Sequence, residues 1–131
     1  MSRRIRAKHS VYNLSYHIIW IPKYRKRILI GEIESTLKNI LIDKAKSIGC
    51  NIKYMEIMPD HLHIFLTAPP KISVSYILNH LKGYSSFMLR KLFPSLKRYK
   101  SLWTNSYYCE SIGLISEKTV KRYIEMQKVN S

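Results

Sequence analysis

Three patterns in this sequence predict an α+β fold, an antiparallel sheet with helices on one face. Several short segments alternate apolar and polar residues with a strand's period of two, and longer ones repeat apolar residues at helical spacing. These segments follow one another in the order βαββαβ, with one further helix at the C-terminal end. At 131 residues and 46% hydrophobic content, the chain has the material of a single domain spanning 1–131, whose first ten residues form a basic extension. No repeat, linker or low-complexity tract divides it.

Tyr12, Leu14, Tyr16, Ile18 and Trp20 alternate with Asn13, Ser15 and His17, which predicts a strand that Pro22 stops. From Glu32 to Ile48, residues Ile33, Leu37, Ile40, Leu41 and Ile48 and the stem of Lys44 mark one face of a helix, and Gly49 stands where a left-handed cap is expected. Asn51–Met58 and His61–Ala68 read as two strands of a hairpin joined by Pro59-Asp60, a turn dipeptide that cannot continue a ladder. Ser73 is the expected cap of a long helix whose core face is Val74, Ile77, Leu78, Leu81, Met88, Leu89 and Leu92, ending before Pro94 and weakened in its middle by Gly83. A basic, irregular stretch precedes Trp103–Ser111, read as a strand or strand pair. Ser116 then caps a last helix with Glu117 in its first turn and Lys128 in its last, both suited to the helix dipole. The order matches the split βαβ, ferredoxin-like (RRM-like) arrangement with an extra C-terminal helix. Many RNA-binding modules share it, so the fold alone does not choose a function.

Charge narrows the choice of partner. Lys and Arg total 23 against 8 Asp and Glu, a net charge of +15, which implies a negatively charged partner. No apolar run approaches the roughly 20 residues of a spanning helix, and the N-terminal stretch lacks the features of a secretory signal. Cys50 and Cys109 are too few for a disulfide scaffold or a thiolate zinc site, so a cytoplasmic location is expected. The basic residues fall in clusters along the whole chain, whereas a membrane-surface helix would gather them on one segment. Tyr24, Tyr84, Tyr99, Trp103, Tyr107 and Tyr108 are interleaved with those clusters, a combination suited to stacking unpaired bases beside neutralised phosphates. Packing at the edge of the core is the competing role for each ring.

The residues able to do chemistry are fewer. His61-Leu62-His63 opens a strand, so Leu62 is expected in the core and the two imidazoles side by side on the opposite face, near enough to share a metal ion. An isolated His-x-His is more often exposed or bonded to a protein partner, but Asp60 adjoins this one as a further possible ligand. A two-histidine site without thiolates needs oxygen donors, which suits Mg²⁺ or Mn²⁺ better than a closed structural zinc. In the last helix Tyr123 and Gln127 are four residues apart and share a face, so Gln127 can bring a carbonyl oxygen and Tyr123 a phenolic oxygen to such a site. A core-edge role for Tyr123, aligned with Val120 and Ile124, is the competing reading.

The strings Trp20-Ile21-Pro22-Lys23-Tyr24-Arg25, Met58-Pro59-Asp60-His61-Leu62-His63, Lys82-Gly83-Tyr84-Ser85-Ser86, Leu102-Trp103 with Tyr107-Tyr108, and Tyr123-Ile124-Glu125-Met126-Gln127 together resemble the single-tyrosine HUH transposases of very small insertion sequences. The match runs from about Val11 to Gln127, and the motifs fall in the family's order. The resemblance implies a single-stranded DNA endonuclease and strand transferase, with Tyr123 as the nucleophile that forms a 5′-phosphotyrosine link. It implies a divalent ion, Mg²⁺ or Mn²⁺, held by His61, His63 and Gln127. It further implies hairpin DNA at the element's ends as substrate, association with the nucleoid when bound to DNA, and a homodimer whose active sites are completed across protomers, with Gly113 as the hinge. Candidate DNA contacts are Arg3, Arg4, Arg6, Lys23, Arg25, Lys82, Arg90, Lys97, Arg98, Lys121 and Arg122. The alternatives are a noncatalytic nucleic-acid-binding module of the same fold and a metal-dependent hydrolase with a structural Tyr123.

Overall fold

A computed structural model of the chain describes residues 13–113 and 125. The basic extension and the expected last helix, with Tyr123 and Gln127, lie outside the described residues. Within them, β1 (Leu14–Trp20) leads to α1 (Gly31–Ser47), the hairpin of β2 (Asn51–Met58) and β3 (His61–Ala68), α2 (Val74–Leu92) and β4 (Tyr108–Gly113). The strands form one antiparallel sheet in the order β2-β3-β1-β4, the ferredoxin-like topology expected from the element order.

Local chemistry sets the boundaries. Pro59 and Asp60 close the β2–β3 hairpin directly, because Met58 pairs with His61. Gly49 lies at φ +88, ending α1 in the left-handed region that a Cβ disfavours. The Ser73 hydroxyl accepts a hydrogen bond from the Tyr76 N–H at 3.0 Å, capping α2.

The core lies between the sheet and the helices. Tyr16, Ile18 and Trp20 of β1 and Leu62, Ile64, Leu66 and Ala68 of β3 meet Leu37, Ile40, Leu41 and Ala45 of α1 and Ile77, Leu78, Leu81 and Leu89 of α2. The strand period then sends Ser15, His17 and Ile19, with His61, His63 and Phe65, to the face away from the helices.

The chain departs from the sequence reading at three places. The last strand is Tyr108–Gly113 rather than Trp103–Ser111; Trp103 instead bridges Pro22 and is buried. Its indole N–H donates to the Ser85 hydroxyl at 3.0 Å, and its ring stands edge-on to Trp20 at 5.8 Å. Backbone bonds from Lys23 N–H to the Leu102 carbonyl (2.9 Å) and from Thr104 N–H to the Ile21 carbonyl (3.1 Å) hold this segment against the end of β1. An aromatic alternation cannot distinguish such a buried bridge from a strand. Leu92, expected in the core, is exposed; Leu96, in a short 3₁₀ turn over Pro94–Arg98, is the buried residue after the helix. Gly113, expected as a hinge after the sheet, is the last residue of β4 and pairs with Ser15.

Gly83 stands exposed in the middle of α2, and a Cβ built there meets nothing within 4 Å. Gly83→Ala is therefore expected to stabilise the fold by about 1 kcal/mol through helix propensity alone. Urea unfolding checks this, and a loss of stability would show that the helix needs the glycine backbone.

Candidate active site

β3 is a central strand, and its alternation places Leu62 fully inside the core while His61 and His63 project from the sheet face opposite α1 and α2. Their rings lie 5.1 Å apart at 64°, so the spacing expected from the sequence is realised. Each imidazole is held from behind through Nδ1.

His61 Nδ1 lies 2.9 Å from Asp60 Oδ1. A carboxylate only accepts, so His61 donates from Nδ1. The hydrogen bond from His61, helped by the positive charges of Arg25 and Arg27, holds the Asp60 carboxyl below its ordinary range, and it is ionised at neutral pH. The second oxygen of Asp60 accepts from Arg25 Nη2 at 3.1 Å. Both Asp60 oxygens are thus engaged, one by the His61 ring and the other by Arg25 at the surface.

Arg25 reaches Asp60 from a strained turn. Tyr24 and Arg25 have φ of +61 and +52, left-handed values that cost a side-chain-bearing residue roughly 1 to 2 kcal/mol. The Pro22–Trp103 bridge, the Lys23–Leu102 bond and a bond from Arg25 N–H to the Pro22 carbonyl (2.8 Å) hold this turn. It leaves the Tyr24 ring 80% exposed, with Lys23 Nζ 5.9 Å from its centroid.

Behind His63 stands His17 of β1, whose Nε2 is 3.2 Å from His63 Nδ1. The His17 ring stacks on His63 and on Phe65, each at 5.4 Å, and meets the edge of Tyr108. Burial lowers the pKa of both His17 and His63; the neighbouring His17 and His61 lower that of His63 further, while Glu110 opposes the shift at His17. The sequence reading did not single out His17, which appeared only as a polar position in an alternating strand. Its place behind His63 follows from the β1–β3 register, in which His17 opposes Phe65 and Ile19 opposes His63.

The donor chemistry fits a divalent ion. The two Nδ1 atoms are occupied, and no hydrogen bond is formed at Nε2 of His61 or His63 among the described residues. Among the same residues, no group of three His, Cys, Asp or Glu side chains forms a complete cage, so an ion held by this pair needs further donors. No described helix is long and apolar enough to cross a membrane.

A family model described as IS200-like transposase matches residues 10–127. The chain belongs to the IS200-like transposase family. It is 38% identical over 120 residues to the ISDra2 transposase TnpA of Deinococcus radiodurans, covering 89% of this chain and 86% of that one. It is 36% identical over 122 residues to the IS200 transposase of Salmonella typhimurium, covering 91% and 80%. A crystal structure of a Deinococcus radiodurans protein assigned as a transposase superposes with a TM-score of 0.76 at 36% identity, covering 93% of this chain and 96% of that one. A REP-associated tyrosine transposase solved with a REP hairpin shares the fold at a TM-score of 0.63 and 15% identity, covering 94% and 68%.

In the transposase, several basic residues proposed from sequence as DNA contacts are engaged internally. Lys82 Nζ donates to the Thr104 and Ser106 carbonyls at 2.7 and 3.1 Å, and burial lowers its pKa. Arg90 Nη1 donates to the Tyr99 and Lys100 carbonyls, each at 3.0 Å, and Arg98 lies against the Tyr99 ring. Lys97 is exposed on the surface, bordering a groove with Phe87, Arg90 and Lys91. Arg3, Arg4, Arg6, Lys121 and Arg122 lie outside the described residues. Of the aromatic candidates, Tyr24, Tyr84, Tyr107 and Tyr108 are exposed, whereas Trp103 is buried and Tyr99 packs against the core.

The lowered pKa values set a pH dependence. The neutral forms of His17 and His63 are the folded ones, so their contribution is complete above an ordinary imidazole pKa near ~6.5 and is lost as pH falls through the depressed values. NMR titration of the metal-free transposase should give both residues midpoints below about 6.5. Midpoints at or above that value would contradict the burial argument.

Proposed function

We propose that this transposase cleaves and rejoins single-stranded DNA at the hairpin-bearing ends of its element, by tyrosine transesterification at a divalent ion held by His61, His63 and Gln127. The observation that carries the reading is the histidine pair side by side on one sheet face, with Nδ1 of each ring engaged by a protein partner. Family membership supplies the transposase activity. The tyrosine chemistry rests on the Tyr123-Ile124-Glu125-Met126-Gln127 motif.

A bound Mg²⁺ or Mn²⁺ supplies positive charge beside the scissile phosphate, where negative charge develops in the transition state. His61 and His63 hold that position rigidly, because a carboxylate fixes one ring and a stacked imidazole the other. Gln127 adds a carbonyl oxygen. Tyr123 is the nucleophile: its phenolic oxygen forms the new bond to phosphorus, the bond from phosphorus to the 3′ oxygen breaks, and the phenolic proton passes to solvent while the 3′ oxygen takes one up. A phenol of pKa near ~10 is a weak nucleophile at neutral pH and depends on that setting. The 5′-phosphotyrosine conserves the broken linkage, and attack by a second 3′-hydroxyl rejoins strands without ATP. A chain with four glycines and no Walker-type loop accords with this.

The charge of +15 and the exposed rings of Tyr24, Tyr84 and Tyr107, each with a lysine ammonium within 4.7 to 5.9 Å of its centroid, support the binding of hairpin phosphates and unpaired bases. The fold-level likeness to a hairpin-bound transposase supports the same substrate. We further propose a homodimer whose tyrosine helix completes the partner's histidine site.

Incubation with a single-stranded element end and Mn²⁺ is expected to give a covalent protein–DNA adduct that is absent in Tyr123→Phe. His61→Ala and His63→Ala should each abolish the adduct and leave hairpin binding largely intact. Cleavage that survives in Tyr123→Phe would overturn the nucleophile, and equal loss of binding and cleavage in the histidine variants would make the pair structural.

A further inference from the structure

We infer that the cleft between the middle of α2 and the 101–107 segment takes one unpaired nucleobase of single-stranded DNA, stacked on Tyr107 beside Gly83. The ligand rests on the DNA substrate proposed above, whereas the cleft itself shares no residue with the histidine pair.

A glycine in the middle of a helix weakens it, so Gly83 calls for a compensating use. Its backbone is not in the left-handed region that would require a glycine, and beyond its own helix no atom of the described residues lies within 4 Å of a Cβ built there. The fold of the free chain therefore makes no demand for the missing side chain. Gly83 does line a cleft of about 330 Å³, between Asn79 and Ser86 of the helix and Trp103, Asn105 and Tyr107 across from them. That volume falls within the roughly 300 to 1,000 Å³ of small-ligand sites.

The lining selects the kind of ligand. Lys82 is the one charged side chain in it among the described residues, and its Nζ is already committed to the Thr104 and Ser106 carbonyls at 2.7 and 3.1 Å. Those two bonds tie the far wall to the helix. A phosphate site would gather free cations or a run of backbone N–H groups, and this cleft offers neither a guanidinium nor a second ammonium. Its other polar side chains include the neutral amides of Asn79 and Asn105 and the Ser86 hydroxyl, which form no hydrogen bond with another described residue. Amides donate and accept side by side, as the edges of bases do. The Tyr107 ring, 43% exposed and with the Lys82 ammonium 5.8 Å from its centroid, supplies a stacking face. A planar, uncharged ligand with several donors and acceptors matches this combination. In a chain of charge +15 that holds DNA backbones elsewhere, that ligand is a base.

The test compares two fluorescent strands of about ten nucleotides, within the site sizes of single-strand binders, on the full-length chain. One is oligothymidine and the other carries abasic sites throughout, so the backbone charge is the same. The parent should prefer the base-bearing strand by roughly 5 to 150-fold, the range for one stacked base. Gly83→Leu, which keeps a good helix former and fills the cleft, should lose most of that preference, retain its affinity for the abasic strand, and unfold at no lower urea concentration than the parent. Tyr107→Leu should lose the preference in the same way. Photocrosslinking to oligothymidine carrying one 5-iodouracil should label Tyr107. A preference undiminished in either variant, or crosslinks confined to rings outside the cleft such as Tyr24, would overturn the inference and leave the DNA substrate in place. Equal affinity of the parent for the two strands would overturn both the cleft and the proposed capture of unpaired bases. A base held at Tyr107 in a chain that forms no Tyr123 adduct would uphold the cleft and overturn the tyrosine chemistry instead.

Discussion

Leu62 and its two neighbours set the terms for the rest of the site. Leu62 is fully buried in a central strand, opposite Trp20 on one side and Ile57 on the other. A slip of one residue would drive both histidines into the core and expose Leu62, Ile64 and Leu66, a change no local contact could offset. The core thus determines that two imidazoles two residues apart stand together on the opposite face of the sheet. The hydrophobic effect positions a polar site that makes no use of it directly.

Everything behind the histidines follows from that placement. The hairpin turn that ends β2 puts Asp60 next to His61 in sequence and at Nδ1 in space. The register of β1 against β3 brings His17 behind His63. The strained Tyr24–Arg25 turn, tied down through Pro22 and Leu102, carries a guanidinium to Asp60 and so fixes the carboxylate that fixes His61. A segment far along the chain, with Trp103 as its buried anchor, therefore supports the geometry of residues at the start of β3.

Much of this was legible in the residues. Asn51–Met58 and His61–Ala68 are strands over the spans expected, because a tight turn dipeptide separates two strongly apolar runs. The caps at Ser73 and Gly49 were readable because each depends on one residue's own chemistry. Trp103 was misread because alternating aromatics look alike whether they line a strand or plug a gap beside one. Lys82 and Arg90 were read as groups for DNA because sequence records their charge and not the carbonyls that meet it. His17 escaped notice for a related reason: its role arises only when a second strand is laid beside the first in a particular register.

On the function proposed above, Nε2 of His61 and Nε2 of His63 bind one divalent ion. Anomalous diffraction from crystals of the transposase grown with Mn²⁺ and a hairpin substrate tests it most directly. A single strong manganese peak bonded to Nε2 of both histidines is expected, with Nδ1 of each still on Asp60 or His17. Manganese bound elsewhere, or reached through Nδ1 with those partners displaced, would contradict it.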